Sequence, residues 1–118
     1  MLQRKLAALA ERLGDVRLLA LIDQDGIPIA NVSFDAALDL DRMAAELAAL
    51  ARDIVADYNG LVLGRPRQLS VLCARTLVML SFLSRDYSLL LVADDKVGQG
   101  RARFELRRAR LSLEKDLA

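Results

Sequence analysis

The chain contains no histidine, which removes the side chain that most often serves as a base at neutral pH. It has a single cysteine, Cys73. No internal disulfide can form, and no metal site can be built from Cys and His together. Aromatic residues make up 4% of a sequence that is 54% hydrophobic, so the core must be aliphatic. Neither sign of charge dominates: 17 Lys and Arg against 16 Asp and Glu leave a net +1. A global field that would draw the chain to nucleic acid or to a membrane is therefore absent. Long unbroken apolar runs are missing too. The greasiest stretch, Thr76 to Ala93, is broken by Arg85-Asp86, and each half is too short to span a bilayer as a helix. Residues 1–13 are charged and amphipathic, unlike a secretory signal. What these absences leave is one soluble, cytoplasmic domain over residues 1–118, with no cofactor, no metal and no catalytic residue expected.

The most informative segment that is present is Leu18-Leu-Ala-Leu-Ile-Asp-Gln-Asp-Gly-Ile-Pro-Ile-Ala30. Two apolar runs flank a polar turn containing Asp25-Gly26, a strong hairpin signal. The first run, Val16 to Ile22, is apolar at odd and even positions alike, so that strand must be covered on both faces and helices must lie above and below the sheet. Pro28 cannot donate to a ladder, which makes the second strand an edge.

Before the hairpin, Leu2, Leu6, Leu9 and Leu13 recur at helical spacing and Gly14 follows as a stop. After it, a long helix is expected from about Leu40 to Asn59, ending near Gly60. Met43, Leu47, Leu50, Ile54 and Tyr58 form the stripe expected to face the sheet. Ala44, Ala48, Ala51 and Val55 form a second row beside it, small enough to admit another helix, although alanine's helix propensity alone would account for them. Ala45, Ala49 and Ala56 with Arg52 point away from the sheet. Three strands follow, at about Gln68–Ala74, Leu77–Leu83 and Tyr87–Ala93, with turns at Arg75-Thr76 and Arg85-Asp86. The first of them is thin, with Gln68 and Ser70 on one side, as an edge should be. Cys73 falls in this apolar strand and reads as a small core residue. A last helix from about Arg101 to Leu117 buries Ala102, Leu106, Ala109, Leu113 and Leu117, while Phe104 and Leu111 lie nearly opposite and are expected to touch the first helix. The class is α+β, in the order α-β-β-α-β-β-β-α.

Three motifs invite a chemical reading. Asp23-Gln-Asp25-Gly26 opens like a calcium loop, but its glycine stands at position four and Phe34 at position twelve, so a hairpin turn fits better. Gly98-Gln-Gly100 resembles the start of a dinucleotide loop, but Arg103 occupies the third glycine position and the preceding strand belongs to an antiparallel meander. Arg101, Arg103, Arg107, Arg108 and Arg110 crowd the last helix and could contact phosphates. Glu105, Glu114 and Asp116 share that helix, and no aromatic stacking set is interleaved, so nucleic-acid binding is the minor reading.

The hairpin, the long second helix and Gly100-Arg-Ala-Arg-Phe-Glu-Leu-Arg-Arg-Ala109 together resemble the Roadblock/dynein-light-chain family over nearly the whole chain. The resemblance implies a three-layer αβα fold: a five-stranded antiparallel sheet with the long helix on one face and two helices on the other. It implies a homodimer in which strand 68–74 and the second helix meet their copies, placing Ala44, Ala48, Ala51, Val55, Leu69 and Val71 at the interface. It also implies a non-catalytic platform. Some bacterial members resemble the gliding-motility protein that binds a small Ras-like GTPase and speeds its hydrolysis without supplying an arginine finger. Carried over by position, the GTPase-facing surface would be Asp41, Ala45, Ala49, Arg52 and Ala56. A scaffold that leaves GTPase rate unchanged is the alternative.

Overall fold

The elements fall in the expected order. A computed structural model describes residues 1–84 and 86–117, with Asn59 and Gly60 through their backbone alone. Arg85, half of the expected Arg85-Asp86 turn, lies outside the described residues. The elements are α1 (Leu2–Leu13), β1 (Val16–Asp23), β2 (Pro28–Ser33), α2 (Leu40–Gly60), β3 (Gln68–Leu72), β4 (Thr76–Phe82), β5 (Tyr87–Asp94) and α3 (Gln99–Leu117), with a single 3-10 turn at Asp95–Val97 before α3. The sheet is antiparallel, in the order β2-β1-β5-β4-β3. β2 and β3 are its edges, as Pro28 and the thin apolar pattern of 68–74 suggested. No helix among the described residues is long and apolar enough to cross a membrane.

Strand alternation divides the core into two. Leu19 and Leu21 of β1, Leu77 and Met79 of β4, and Leu89, Leu91 and Ala93 of β5 point to one face, where Leu6, Leu9 and Leu13 of α1 meet Ala102, Leu106 and Leu113 of α3. Leu18, Ala20, Ile22, Leu80, Phe82, Leu90 and Val92 point to the other face, which α2 covers. Ionic contacts tie α1 to α3. Lys5 Nζ lies 2.8 Å from Asp116, and Arg12 donates to the nearly buried Glu105 at 2.9 Å.

Asp23 organises the β1–β2 turn. One oxygen of its carboxylate accepts the N–H groups of Asp25 and Ile27, each at 2.9 Å, which occupies it in the manner of an Asx turn rather than as a cation ligand. Gly26 has φ +80°, and a Cβ there would come within 2.7 Å of the Ala44 carbonyl oxygen and 2.8 Å of Ala45 Cα. The hairpin tip therefore rests directly on the backbone of α2. At the other end of the connection to α2, Arg17 of β1 holds Asp35 through Nε at 2.9 Å and Nη2 at 2.6 Å, and also reaches Thr76 Oγ1 at 3.1 Å.

Three expectations need correction here. β3 stops at Leu72 rather than Ala74, and the Cys73 N–H closes the hairpin by donating to Thr76 O at 2.8 Å. The turn moves one residue upstream because Thr76 is drawn into β4 by its pairing with Asp94. Cys73 is consequently exposed in the turn and is no part of the core. Phe104 and Leu111 are not covered by α1: they stand 62% and 71% exposed on the solvent side of α3.

Replacing Gly26 with Ala adds left-handed backbone strain to a collision with helix backbone that cannot yield, and should destabilise the fold by roughly 2–4 kcal/mol in urea unfolding. The Arg17 guanidinium and the Ala37 N–H hold the Asp35 carboxyl below its ordinary value of 3.8. A carboxyl depressed in the folded state contributes stability above its unfolded pKa and loses it as pH falls through the folded value. Asp35→Asn should thus be less stable than wild type at neutral pH. The gap between their urea midpoints should close as pH drops below 4 toward 2, values set by the ordinary carboxylate range.

Candidate functional site

α2 begins where Asp39 caps it: its carboxylate accepts the Arg42 N–H at 3.2 Å and its carbonyl the Met43 N–H at 3.0 Å. Asp41 in the first turn suits the positive end of the helix dipole. The rows of this helix sit differently from the sequence-based expectation. Ala44, Ala48 and Ala51 face the sheet, at 0%, 5% and 7% exposure, with Val55 half-buried at the end of the row. Three of the four alanine-row positions expected to meet a second copy are therefore covered by the chain's own strands. Of the row of large residues expected on the sheet, Met43 and Leu47 do pack against the core beneath α2, Ile54 is half-buried, and Leu50 and Tyr58 are exposed.

The reason is steric. The sheet presents Leu18, Ile22, Leu80, Phe82 and Leu90 to α2, and a helix comes closest to such a surface along a ridge of small side chains. Both rows are apolar at helical spacing, so periodicity alone cannot rank them. Only the bulk of the facing strands does.

A helix seated on alanines leaves grooves beside it. On the β3 side, Met43, Glu46, Leu47 and Leu50 line an open groove of about 310 Å³ with Val71 and Val78. Leu69 packs into the core beneath α2, whereas Val71 is 40% exposed. β3 is an edge of the sheet, with no strand on its outer side among the described residues. On the opposite flank a cleft of about 330 Å³ lies over Ile22, Ala48, Ala51, Val55, Leu80 and Phe82.

Asp41, Ala45, Ala49, Arg52 and Ala56 are all exposed, but the row runs along the hairpin-side flank of α2: Ala45 lies against Gly26, and Arg52 and Ala56 border the cleft. Arg52 is not a loose cation. Its Nη1 donates to the Gln24 carbonyl oxygen at 2.7 Å, so it ties the hairpin tip to the helix. No sequence signal marks that acceptor, because it is a backbone atom 28 residues away. Beside the exposed alanines of this row, Asp41, Arg42, Glu46, Asp53 and Asp57 are exposed too, and Arg42 pairs with Glu46 at 3.2 Å, so the solvent face of α2 is charged as well as small.

No protein-family model matches the sequence, and no curated protein matches it. Solved structures do. Myxococcus xanthus MglB superposes with a TM-score of 0.89 at 14% identity, covering 98% of this chain and 93% of that one. A Roadblock/LC7 domain from Streptomyces avermitilis gives 0.84 at 20% identity, covering 98% and 96%. Profilin IA of Acanthamoeba castellanii gives 0.68 at 15%, covering 100% of each chain. The chain has the Roadblock/LC7 fold, and profilin shares its plan more loosely.

The two faces of α2 separate by mutation. Ala44→Leu or Ala51→Leu forces bulk between helix and sheet and should cost about 1–3 kcal/mol in unfolding free energy. Ala49→Leu, on the exposed row, should stay within about 0.5 kcal/mol of wild type in the same urea titration.

Proposed function

We propose that the chain is a non-catalytic homodimeric platform that binds a small Ras-like GTPase and regulates it, stimulating hydrolysis by holding the GTPase switch regions in a competent arrangement. The observation that carries this reading is the uncovered apolar groove between α2 and β3, beside a sheet edge with no strand on its outer side among the described residues. Two copies related by a two-fold axis would pair their β3 edges and bury Met43, Leu47, Leu50 and Val71, in place of the alanine row. Such an isologous contact brings two α2 helices side by side. The exposed row of Asp41, Ala45, Ala49, Arg52 and Ala56 would then be presented by both copies on one docking surface. Likeness in fold to MglB supports the class of protein. The resemblance of the hairpin and of 100–109 to Roadblock sequences supports the class of partner.

Sedimentation at micromolar concentration should return a dimer for the wild type and a folded monomer for Leu50→Asp combined with Val71→Asp. Immobilised wild-type protein should retain a Ras-like GTPase from lysate of its own source organism, in one of the GTP-analogue and GDP states. Added in solution, it should raise GTP turnover by that GTPase, and the double variant should not. Retention with unchanged turnover would replace the regulator by a scaffold; a monomeric wild type would remove the platform.

A further inference from the structure

The charges of α3 are segregated, which its composition does not reveal. Each acid on the helix is engaged. Glu105 receives Arg12 at 2.9 Å and lies 3.8 Å from Arg108, Glu114 receives Arg110 at 3.0 Å, and Asp116 lies 2.8 Å from Lys5. Arg110 also donates to the Leu83 carbonyl and Arg101 to the Arg12 carbonyl, so both are spent within the fold. Among the described residues Arg103, Arg107 and Lys115 have no acidic partner.

Helical spacing then gathers Phe104, Arg107, Arg108, Leu111 and Lys115 into one stripe at i, i+3, i+4, i+7 and i+11. It lies opposite the buried Ala102, Leu106 and Leu113. Phe104 and Leu111 are 62% and 71% exposed and stand about 10 Å apart along the axis. The stripe holds three cations and no acid. On α1 the single acid is Glu11. The first turn of α3 carries no acid, so Arg101 and Arg103 stand against the helix dipole and cost the fold stability.

We infer that this stripe of α3 is a peripheral docking surface for an anionic lipid bilayer. Cations interleaved with bulky apolar side chains on one helix face match a layer of negative headgroups over acyl chains. The convexity of the stripe favours lipid over protein, because two projecting side chains need matching holes in a folded partner but only displacement of lipids in a fluid interface. The same apolar pair disfavours nucleic acid, since neither side chain gains from a phosphate backbone and one aromatic makes no stacking series. The stripe lies on the sheet face opposite α2. Lipid docking through it leaves the α2 surface turned toward solvent, whatever that surface binds.

Flotation of the full chain with vesicles tests this. Wild type should float with vesicles of phosphatidylcholine carrying about one third phosphatidylglycerol and not with phosphatidylcholine alone, and added salt should release it. Phe104→Ser with Leu111→Ser, and separately Arg107→Glu with Lys115→Glu, should each lower the partition coefficient on the order of tenfold. All four positions are exposed, so unchanged thermal unfolding midpoints should accompany the loss. Wild type that stays unbound with anionic vesicles overturns the inference, as does either double variant binding as well as wild type. Retention on duplex DNA without vesicle binding overturns it in favour of a phosphate-backbone contact.

Discussion

The constraint on which the structure depends is that β1 and β5, paired at the centre of the sheet, have to be dry on both faces. Leu18 through Ile22 and Leu89 through Ala93 are all at most 1% exposed. Each such side chain gains on the order of 2 kcal/mol by leaving water, so neither face can be left open. Helices must cover both. The cover is unequal: α1 and α3 share one face, bound to each other through Arg12–Glu105 and Lys5–Asp116, while α2 alone covers the other. One helix cannot span five strands, and the surface it leaves beside β3 is the surface on which an interaction role rests. The functional reading thus follows from a shortage of cover over a doubly apolar sheet.

How α2 sits follows from the same sheet. The large side chains of β1, β4 and β5 fill the space beneath it, so its most buried ridge is alanine, with Met43 and Leu47 reaching the same core from the β3 side and Leu50 left in the groove. The hairpin tip fits under this arrangement only because Gly26 has no side chain to meet the α2 backbone, and Arg52 closes the contact from the helix side. These contacts fix the height and direction of α2 and hence the shape of its solvent face. The plan itself does not dictate a partner. Profilin approaches the same arrangement, and function lies in the surfaces a fold presents.

Charge is divided as unevenly as the cover. A net +1 suggests an electrically bland protein, and Glu105, Glu114 and Asp116 appear to offset the arginines of the last helix. Folding turns all three acids onto partners in α1 or α3, leaving the outer stripe of α3 cationic and apolar. A sum over the sequence cannot describe a field whose positive and negative members face different directions.

The sequence by itself determined the order of elements, the doubly buried strands, the Asp23–Gly26 hairpin, both sheet edges and the buried stripe of α3. Each of these is written in local periodicity or turn chemistry, which acts over a few residues. It also placed Asp41, Ala45, Ala49, Arg52 and Ala56 in one exposed row, since helical spacing fixes which residues share a side. Tertiary structure alone decided which of two apolar rows of α2 is buried more deeply against the sheet, because that depends on the bulk of side chains on strands 20 to 50 residues away. It alone gave Arg52 its acceptor in Gln24, moved Cys73 out to a turn by pairing Thr76 with Asp94, and consumed the acids of α3. Periodicity tells a residue which neighbours share its face; what lies across from that face is set by distant parts of the chain.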